Sequence, residues 1–302
     1  MTDLSDAPKP WLLPLDDRYY YLDEEEAYFF KTETGITDED ELKRHIISVQ
    51  KKAFEVHQYP CIRIFEFARL KMARLPAYPH LLELGRERQD AIFLDLGCCF
   101  GNDVRKAVQD GFPVKNCVAS DLENGLWELG HEMFCSTPES FPVPFVQGDI
   151  LDPEFLRPWP SLPSKNFAGT ETIPRDLQSL NPLRGRVSAV FTGAFFHLFS
   201  EQTQAKVAAA LACLISDEPG SMLFGVQGGA AEKGIWQPTG SAYTMFCHSP
   251  GSWRELWTGI FGEDKVDVQA RLRKEIGGDD FFGMFPGNKN PYHVLEWSVI
   301  RL

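Results

Sequence analysis

The stretch IFLDLGCCFG at residues 92–101 decides the fold of this chain. Its first five residues form a short, mostly apolar run, and Gly97 follows directly, which is typical of a buried strand that ends in a tight turn. Strand patterns then alternate with helix patterns to the end of the chain. Such alternation predicts an α/β fold in which a mainly parallel sheet carries helices on both faces.

The segment 90–302 is expected to form one doubly wound, seven-stranded sheet, whose last two strands pair antiparallel at one edge. The predicted strands lie at residues 92–96, 114–120, 144–146, 187–192, 221–226, 265–272 and 293–300. The helices expected between them lie at residues 102–110, 123–135, 201–215 and 249–260. Two long connections interrupt the alternation, a proline-rich insertion at 152–186 and a glycine-rich loop at 228–248.

Residues 1–89 are expected to form an N-terminal arm and a helical cap over the crevice at the end of the sheet. The first 35 residues are rich in proline, acidic and aromatic residues, which predicts an extended arm that can include a short helix. Thr37 is the predicted N-cap of a helix that ends near residue 58, because apolar residues recur there at helical spacing. Further helices are predicted at 61–74 and 79–88.

The composition restricts the class of function. The 302 residues include 43 Asp and Glu but only 30 Lys and Arg, which gives a net charge of −13. Proteins that bind nucleic acid neutralise phosphates with basic side chains, so no nucleic acid is expected as a partner. The sequence predicts no membrane span and no secretion signal. Its seven cysteines lack C-x-x-C spacing, which predicts reduced thiols in the cytoplasm and no metal site.

Acidic residues and glycines mark the place where a ligand is expected. Ligands of doubly wound sheets bind at the carboxyl ends of the strands, where the strand order reverses. Asp95 and Gly97 lie at the end of the first strand, and Asp121 follows Gly101 by 20 residues at the end of the second. An acid in that place can accept hydrogen bonds from both hydroxyls of a ribose.

Two kinds of cofactor compete for this pattern. A nicotinamide dinucleotide needs a bare central glycine beside its pyrophosphate, but Cys99 occupies that position and Phe100 adds bulk. S-adenosylmethionine (SAM) carries no phosphate. It needs a tight turn, a carboxylate for its amino group and an acid for its ribose. The residue types at this crevice therefore favour SAM.

The same stretches resemble a known family. IFLDLGCCFG is similar to motif I of class I SAM-dependent methyltransferases, VASDL at 118–122 to motif II, VQGDI at 146–150 to motif III and VFTGAFFHLF at 190–199 to motif IV. The segment from about 38 to 150 resembles fungal methyltransferases of secondary metabolism, including those that methylate carboxyl or hydroxyl groups of meroterpenoids. The resemblance implies a Rossmann-like fold with SAM as the cofactor.

The resemblance also implies which residues hold the cofactor, with Asp149 at the adenine amino group. Motif I departs from the common D-x-G-x-G-x-G pattern because Cys99 replaces the middle glycine. Ordinary turn or packing roles are the alternative for each of these residues. The predicted cofactor-binding residues are Asp95, Gly97, Cys98, Gly101, Asp121, Leu122, Asp149, Ile150 and Thr192.

The acceptor of the methyl group is expected beside the loop that follows the fourth strand. His197 lies in that loop and is the predicted catalytic base, because histidine accepts a proton near neutral pH; packing or capping is the alternative. Aromatic neighbours predict an apolar wall for the acceptor. The predicted substrate contacts are Phe195, Phe196, Trp236 and Tyr243, and the resemblance adds Tyr59 or Tyr78 from the cap.

Together these observations predict a SAM-dependent methyltransferase that acts on a carboxylate or hydroxyl oxygen of a small, largely apolar metabolite of fungal secondary metabolism. Three alternatives stay open. They are an N-, C- or S-methyltransferase, a SAM-binding partner subunit without catalysis, and a nicotinamide-dependent oxidoreductase. The expected partners are a small-molecule substrate and a second copy of the chain in a homodimer.

Overall fold

The computed structural model describes residues 14–158, 173–174, 177–274, 285 and 288–302. Within them, seven strands form one sheet in the order β3-β2-β1-β4-β5-β9-β8, and β6 and β7 form a separate hairpin. The strands are β1 Ile92–Leu96, β2 Cys117–Asp121, β3 Phe145–Gln147, β4 Val187–Gly193, β5 Met222–Gly229, β6 Gly234–Trp236, β7 Met245–Cys247, β8 Val266–Lys274 and β9 His293–Arg301.

The sheet is parallel except at one edge. Parallel pairs join β1 to β2 and β4, β2 to β3, and β4 to β5, whereas β9 runs antiparallel to both β5 and β8. The strand order reverses between β1 and β4, where Leu96 lies opposite Thr192. That reversal opens a crevice at the carboxyl ends of the strands. The predicted Rossmann-like, seven-stranded sheet with an antiparallel edge is confirmed.

Helices cover both faces of the sheet. They are α1 Glu24–Thr34, α2 Glu39–Val56, α3 Pro60–Arg63, α4 Tyr78–Glu87, α5 Asn102–Gln109, α6 Asn124–Met133, α7 Glu201–Ala212 and α8 Pro250–Phe261. Successive residues of β1 belong to different core layers, Phe93 to one and Leu94 to the other. Both layers are apolar because a parallel sheet is buried on both faces. None of the helices in the described ranges is long and apolar enough to cross a bilayer.

The segment 59–74, called the cap segment below, is tied to the N-terminus of α5. The Asn102 side chain donates a hydrogen bond to the Phe67 carbonyl at 2.7 Å. The Met72 N–H donates to the Asp103 carboxylate at 3.1 Å. Since α5 begins at the crevice, these bonds hold the cap segment beside it. The predicted boundary between cap and core at residue 89 stays a prediction.

The cap departs from its predicted helices for local reasons. α2 begins after Asp38 rather than Thr37, because Asp38 Oδ1 accepts a hydrogen bond from the Glu41 N–H at 2.8 Å. The helix predicted at 61–74 is reduced to the single turn α3 and two 3-10 turns. Phe65 has a left-handed φ of 60° there, a conformation that cannot continue a right-handed helix.

Two other segments differ from the sequence expectation. The predicted arm contains α1, which begins in a capping box where Asp23 and Glu26 each bond the other's backbone N–H, at 2.9 and 3.0 Å. The predicted loop at 228–248 contains the β6–β7 hairpin. Most of the insertion predicted at 152–186 lies outside the described residues.

Candidate active site

The motif I loop, residues 97–101, connects β1 to α5 at the crevice. Gly97 and Gly101 have φ values of 73° and 75°, a left-handed conformation that glycine adopts without steric cost. Cys99 lies between them with a φ of 51°, which costs a side-chain-bearing residue roughly 1–2 kcal/mol. Cys99 thus keeps a conformation that favours the glycine it replaces.

Close packing also requires both glycines of this loop. A Cβ atom on Gly101 would lie 2.6 Å from the Trp127 ring of α6. One on Gly97 would lie 3.0 Å from the Phe195 ring, in the loop after β4. The motif I loop is therefore held between α6 and the β4 loop, and little room is left for it to move.

Asp121, the predicted ribose acid, lies at the end of β2. Its Oδ2 accepts a hydrogen bond from the Cys99 N–H at 2.8 Å, and its Oδ1 accepts one from the Glu123 N–H at 3.0 Å. Burial raises the pKa of Asp121, although these backbone bonds oppose the shift. Each oxygen keeps a second lone pair, so the carboxylate can still accept two hydroxyl donors.

Asp95 lies deeper than Asp121. Its Oδ2 accepts a hydrogen bond from the Val104 N–H in the first turn of α5, at 3.2 Å. Burial and the neighbouring Asp103 raise the pKa of Asp95 well above its ordinary value. The side chain therefore stabilises the start of α5. This is a structural role, and it is the alternative to the predicted contact with SAM. That contact stays a prediction.

Three further predicted cofactor residues lie at or beyond the ends of β2 and β3. The Leu122 carbonyl accepts a hydrogen bond from Gln147 Nε2 at 3.0 Å. Asp149 Oδ1 accepts one from the Leu151 N–H at 2.9 Å, which is ordinary turn chemistry. Ile150 is buried in the core layer that also holds Leu94. Their predicted contacts with adenosine remain untested by these bonds.

The last two predicted cofactor residues flank the reversal of strand order. Cys98 is buried, and burial raises the pKa of its thiol well above the ordinary value, so it is a packing residue rather than a reactive one. Thr192 is also buried, and its hydroxyl finds no hydrogen-bond partner within the described part of the chain. A Cβ atom on Gly225 would lie 2.8 Å from that hydroxyl. The fold thus gathers the predicted cofactor residues along one edge of the sheet.

His197 lies in a short 3-10 turn after β4. Its Nδ1 accepts a hydrogen bond from the Gly228 N–H at 2.9 Å. Because a backbone N–H can only donate, Nδ1 carries no proton, and the neutral ring holds its proton on Nε2. Burial, with a smaller effect of Lys71, lowers the pKa of His197 to about 4. Neither nitrogen then has a free lone pair, which favours the alternative of a packing residue, and the predicted role of His197 as a base stays a prediction.

Gly228 connects His197 to aromatic residues of the β6–β7 hairpin and of the segment before β9. A Cβ atom on Gly228 would lie 2.9 Å from Met245 Sδ and 3.1 Å from Tyr292 Oη, so both side chains cover it. The Trp236 ring meets Tyr292 edge-on, with 5.3 Å between the ring centroids. This packing places Trp236 on the same side of the crevice as His197.

Tyr243 continues the same wall. Its ring stacks on Phe285 at 5.5 Å, and Phe285 meets Trp236 edge-on at 6.2 Å. Burial raises the pKa of Tyr243, so its hydroxyl stays protonated at neutral pH. The hairpin cluster, defined as Trp236, Tyr243, Phe285 and Tyr292, joins two predicted substrate residues to two that the sequence analysis missed.

Phe195 and Phe196 are neighbours in the chain but lie in different surroundings. The Phe195 ring covers Gly97 of the motif I loop. Phe196 is fully buried, and its ring meets Trp253 and Trp297 edge-on at 4.9 and 5.9 Å. Phe196 therefore packs in the core, and its predicted contact with a substrate stays a prediction.

The two tyrosines considered for the cap lie at different ends of the sheet. Burial raises the pKa of Tyr59, with smaller contributions from Asp121 and Glu123, and its ring stacks on His57 at 3.7 Å. Tyr78 instead donates a hydrogen bond to Asp110 at 2.6 Å, at the C-terminal end of α5. Because α5 begins at the crevice, its C-terminal end lies away from it. Only Tyr59 fits a site residue.

An ion pair in the cap segment was not found from the sequence. Lys71 Nζ and Glu66 Oε2 are 2.6 Å apart, and about a quarter of each side chain is exposed, 24% and 23%. The charge of Lys71 adds to the burial that lowers the pKa of His197, and it opposes the burial that raises the pKa of Cys99. The pair therefore lies near the motif I loop and the β4 loop. The Glu66–Lys71 pair could not be predicted because these residues lie in irregular turns without a helical period.

Comparison with known proteins gives one family and several relatives. The family described as meroterpenoid methyltransferase N-terminal domain matches residues 18–68. The chain is 33% identical to the O-methyltransferase atr3 of Stereocaulon alpinum, over 79% of this chain and 63% of that protein. It is 29% identical to the asnovolin E/chermesin D methyltransferase nvfJ of Aspergillus novofumigatus, over 78% of this chain and 74% of that protein. The chain thus spans less than two thirds of the first relative and about three quarters of the second.

Among solved structures, the chain is similar to the 1,6-didemethyltoxoflavin-N1-methyltransferase of Burkholderia thailandensis. The TM-score is 0.47 and the identity 13%, over 85% of this chain and 89% of that one. This similarity is low, and the fold is assigned from the strand order itself. The N-terminal family and the fungal relatives agree with the four motifs at the strand ends. The chain is similar to methyltransferases of fungal secondary metabolism, and its residues 18–68 match the N-terminal domain of the meroterpenoid methyltransferases.

Proposed function

We propose that this protein is a SAM-dependent O-methyltransferase that converts a carboxylate of a small, largely apolar fungal metabolite into its methyl ester. Relatives named as O-methyltransferases support transfer to oxygen. One observation carries the choice of a carboxylate. It is the hydrogen bond from the Gly228 N–H to Nδ1 of His197.

The state of His197 supports a carboxylate over a hydroxyl as the acceptor. A hydroxyl acceptor benefits from a base that removes its proton, whereas a carboxylate is already ionised at neutral pH. With Nδ1 occupied by the Gly228 N–H, His197 has no lone pair for a substrate proton. It can donate its Nε2–H instead, and a hydrogen bond to a charged oxygen is stronger than one to a neutral oxygen. His197 therefore suits an acceptor that is already ionised when it binds.

The residues at the crevice fit SAM. Asp121 keeps a free lone pair on each oxygen for the ribose hydroxyls. Cys99 carries its side chain where a pyrophosphate would need bare backbone, which disfavours a nicotinamide dinucleotide. When bound, SAM would supply a methyl group already activated on a sulfonium. The chain itself then has to position the acceptor and exclude water.

Positioning is the main contribution expected of the acceptor side. The hairpin cluster and Phe195 provide an apolar wall, and His197 provides one polar donor within it. A pocket of this composition binds an apolar body and orients one polar group. Holding the reacting atoms as near neighbours can lower a barrier by about 7–11 kcal/mol. No proton transfer by a protein side chain is needed for a carboxylate.

The experiment that tests this function follows the transferred methyl group. The protein is incubated with methyl-tritiated SAM and an extract of the source organism, and the extracted product is then treated with alkali. A methyl ester releases its label as volatile methanol, whereas methyl ethers and methylated amines retain it. We expect volatile label. Label that stays in the non-volatile product would refute a carboxylate as the acceptor. No transfer of label to any component would favour a partner subunit without catalysis.

A variant of His197 tests whether this residue removes a proton from the acceptor. In His197→Gln the side-chain oxygen can accept from Gly228 and the amide nitrogen can donate, as in the wild type. We expect this variant to keep most of kcat, with a flat profile from about pH 6 to pH 9. A base would instead show a loss of roughly 10²–10⁴-fold that shrinks as the pH rises. That result would return His197 to the base role and the acceptor to a hydroxyl.

We also propose a cytoplasmic location. It is supported by the cysteines, all seven of which are free thiols, as is usual in reducing compartments. The homodimer stays a prediction, and sedimentation of the purified protein would test it.

A further inference from the structure

Strand β8 forms one edge of the seven-stranded sheet. It ends the strand order, and in the part of the chain that the structure describes only β9 pairs with it. The strand is nine residues long. A long edge strand presents a row of backbone N–H and C=O groups that another strand can pair with, by the same hydrogen bonds that join strands within a sheet.

Alternate residues of β8 turn their backbone groups away from β9. The Leu302 N–H donates a hydrogen bond to the Lys265 carbonyl at 3.1 Å, so Lys265 faces β9. Directions alternate along an antiparallel strand. The residues that face outward are therefore Val266, Val268, Ala270 and Leu272. In agreement with this direction, the Val268 carbonyl accepts a hydrogen bond from Arg254 Nε of α8 at 3.3 Å, and its second lone pair can accept another donor.

The side chains of β8 are complementary to themselves about Ala270. When a second β8 is placed antiparallel to the first about this residue, Asp267 of one copy lies opposite Arg273 of the other. Val268 of one copy then lies opposite Leu272 of the other. Asp267 and Arg273 are exposed on one face, whereas Val268 and Leu272 belong to the face that α8 covers. Opposite charges and apolar pairs across two strands both stabilise their pairing.

The neighbouring registers are disfavoured by charge. An antiparallel pair centred on Arg271 places this arginine opposite its own copy. A pair centred on Gln269 brings Asp267 opposite Arg271, but it also places Lys265 opposite Arg273. Like charges directly opposite each other destabilise a pair. Charges on an edge strand commonly prevent pairing, and here they leave the register about Ala270 without such a conflict.

The arginine of this contact is already oriented on the open face. Arg273 Nε lies 2.9 Å from Glu296 Oε1 of β9, and Arg271 Nη2 lies 2.7 Å from Glu296 Oε2. A guanidinium has five N–H donors, so Arg273 can hold Glu296 and a second carboxylate together. Because the side chain is held by Glu296, less conformational entropy is lost when Asp267 of another copy binds it.

We propose that two copies of this chain form a dimer through their β8 strands, which pair antiparallel about Ala270 and join the two sheets into one. The contact is isologous, since the same surface serves both copies. β8 and β5 run in the same direction, because each is antiparallel to β9. The two-fold axis therefore places the two crevices at opposite edges of the joined sheet, and methyl transfer by one copy does not require a residue of the other.

Sedimentation velocity over a range of protein concentrations measures the Kd of the dimer. In Asp267→Arg, like charges lie opposite each other at both ends of the symmetric contact. We expect the Kd to rise roughly 10- to 30-fold, because two attractive pairs become repulsive. Addition of Arg273→Asp to this variant restores opposite charges, so the double variant should dimerise nearly as well as the wild type.

Two proline variants separate assembly from folding. Ala270→Pro removes an N–H that faces outward, so it should abolish the dimer and change the Tm little. Gln269→Pro removes an N–H that faces β9, so it should lower the Tm. As a control for charge, Glu55→Arg makes the same change at an exposed position of α2, a helix that packs against α6. This variant should keep the wild-type Kd.

Three outcomes would overturn the proposal. A wild type that stays monomeric at every concentration would refute the dimer. A dimer that persists in Asp267→Arg and in Ala270→Pro would have its contact elsewhere. A double variant that dimerises no better than Asp267→Arg would refute the register about Ala270. None of these measurements uses methyl transfer, so their failure is independent of the proposed function.

Discussion

The cofactor side and the acceptor side of the crevice are built in different ways. On the cofactor side, a short loop and one acid at neighbouring strand ends share a hydrogen bond, from the Cys99 N–H to Asp121. On the acceptor side, His197 depends on Gly228, 31 residues away, and on a cluster drawn from a hairpin and the C-terminal segment. The cofactor side is formed by residues at neighbouring strand ends and matches the sequence motifs. The acceptor side forms only when residues that are distant in the sequence pack together. Substitutions should reveal this difference in cofactor affinity, stability and pH response.

The largest effect is expected at Asp121. Asp121→Ala removes the acceptor for the ribose and also frees the Cys99 and Glu123 N–H groups that the carboxylate holds. Two charge-assisted hydrogen bonds of about 1.5–3 kcal/mol each imply a loss of S-adenosylhomocysteine affinity of roughly 100-fold or more. Calorimetry measures it, with Asp121→Asn as the control that keeps an acceptor without the charge. A folded Asp121→Ala protein with wild-type affinity would remove this residue from the site.

The next effect concerns the packing of the motif I loop. Gly101 and Gly35 have nearly equal φ values, 75° and 72°, but only at Gly101 would a Cβ atom meet another group, the Trp127 ring at 2.6 Å. Gly35→Ala should therefore lose about 1 kcal/mol from backbone strain alone. Gly101→Ala should lose more, by roughly a further 1–3 kcal/mol of overpacking. Urea unfolding compares them, and equal losses would mean that Trp127 gives way freely.

A smaller effect appears in the pH dependence of stability. The pKa of His197 is about 4 in the folded protein and about 6.5 when unfolded. Between these values the unfolded chain binds a proton that the folded chain excludes, so the free energy of unfolding falls as the pH falls from about 6.5 to 4. His197→Gln should make that decline shallower, because the difference in bound protons between the unfolded and folded states falls by up to about one.

His248 provides a comparison outside the crevice. Burial also lowers its pKa to about 4, and its ring packs against Trp253 in the core. His248→Gln should reduce the same slope by a similar amount, while leaving the binding of S-adenosylhomocysteine unchanged. A wild-type slope in His197→Gln, measured by urea unfolding across this pH range, would show that the Gly228 bond does not hold the ring neutral.

The smallest effect lies in the cap, at the start of α2. Asp38→Ala removes the acceptor of the Glu41 N–H and should cost about 1 kcal/mol of stability. Thr37→Ala should cost almost nothing, because Thr37 lies outside the helix. Thermal unfolding distinguishes the two positions. The opposite order would restore Thr37 as the cap.

Much of the cofactor side could be predicted because its signals are local. The run at 92–96 coincides with β1, since a buried strand needs an unbroken apolar stretch and Gly97 ends it. Asp121 could be found from its spacing to the glycines alone. The same reasoning assigned residues to the correct edge of the sheet without any knowledge of their neighbours.

The acceptor side could not be predicted in the same way. Adjacent residues of a loop face different directions, and no period distinguishes Phe195, which covers the motif I loop, from Phe196, which joins the core. The tautomer of His197 depends on the backbone N–H of Gly228, and a backbone N–H gives no signal in the sequence. Each of these features is a product of tertiary contact.

The donor that fixes His197 is a main-chain amide, and this has an evolutionary consequence. A side-chain partner is lost when its residue is substituted, whereas the main-chain N–H of Gly228 stays in place as long as Met245 and Tyr292 pack against this glycine. The aromatic side chains around it can change one at a time and alter the shape of the pocket. Substitutions in this aromatic wall can therefore change which molecules the pocket accepts while His197 keeps the same protonation state.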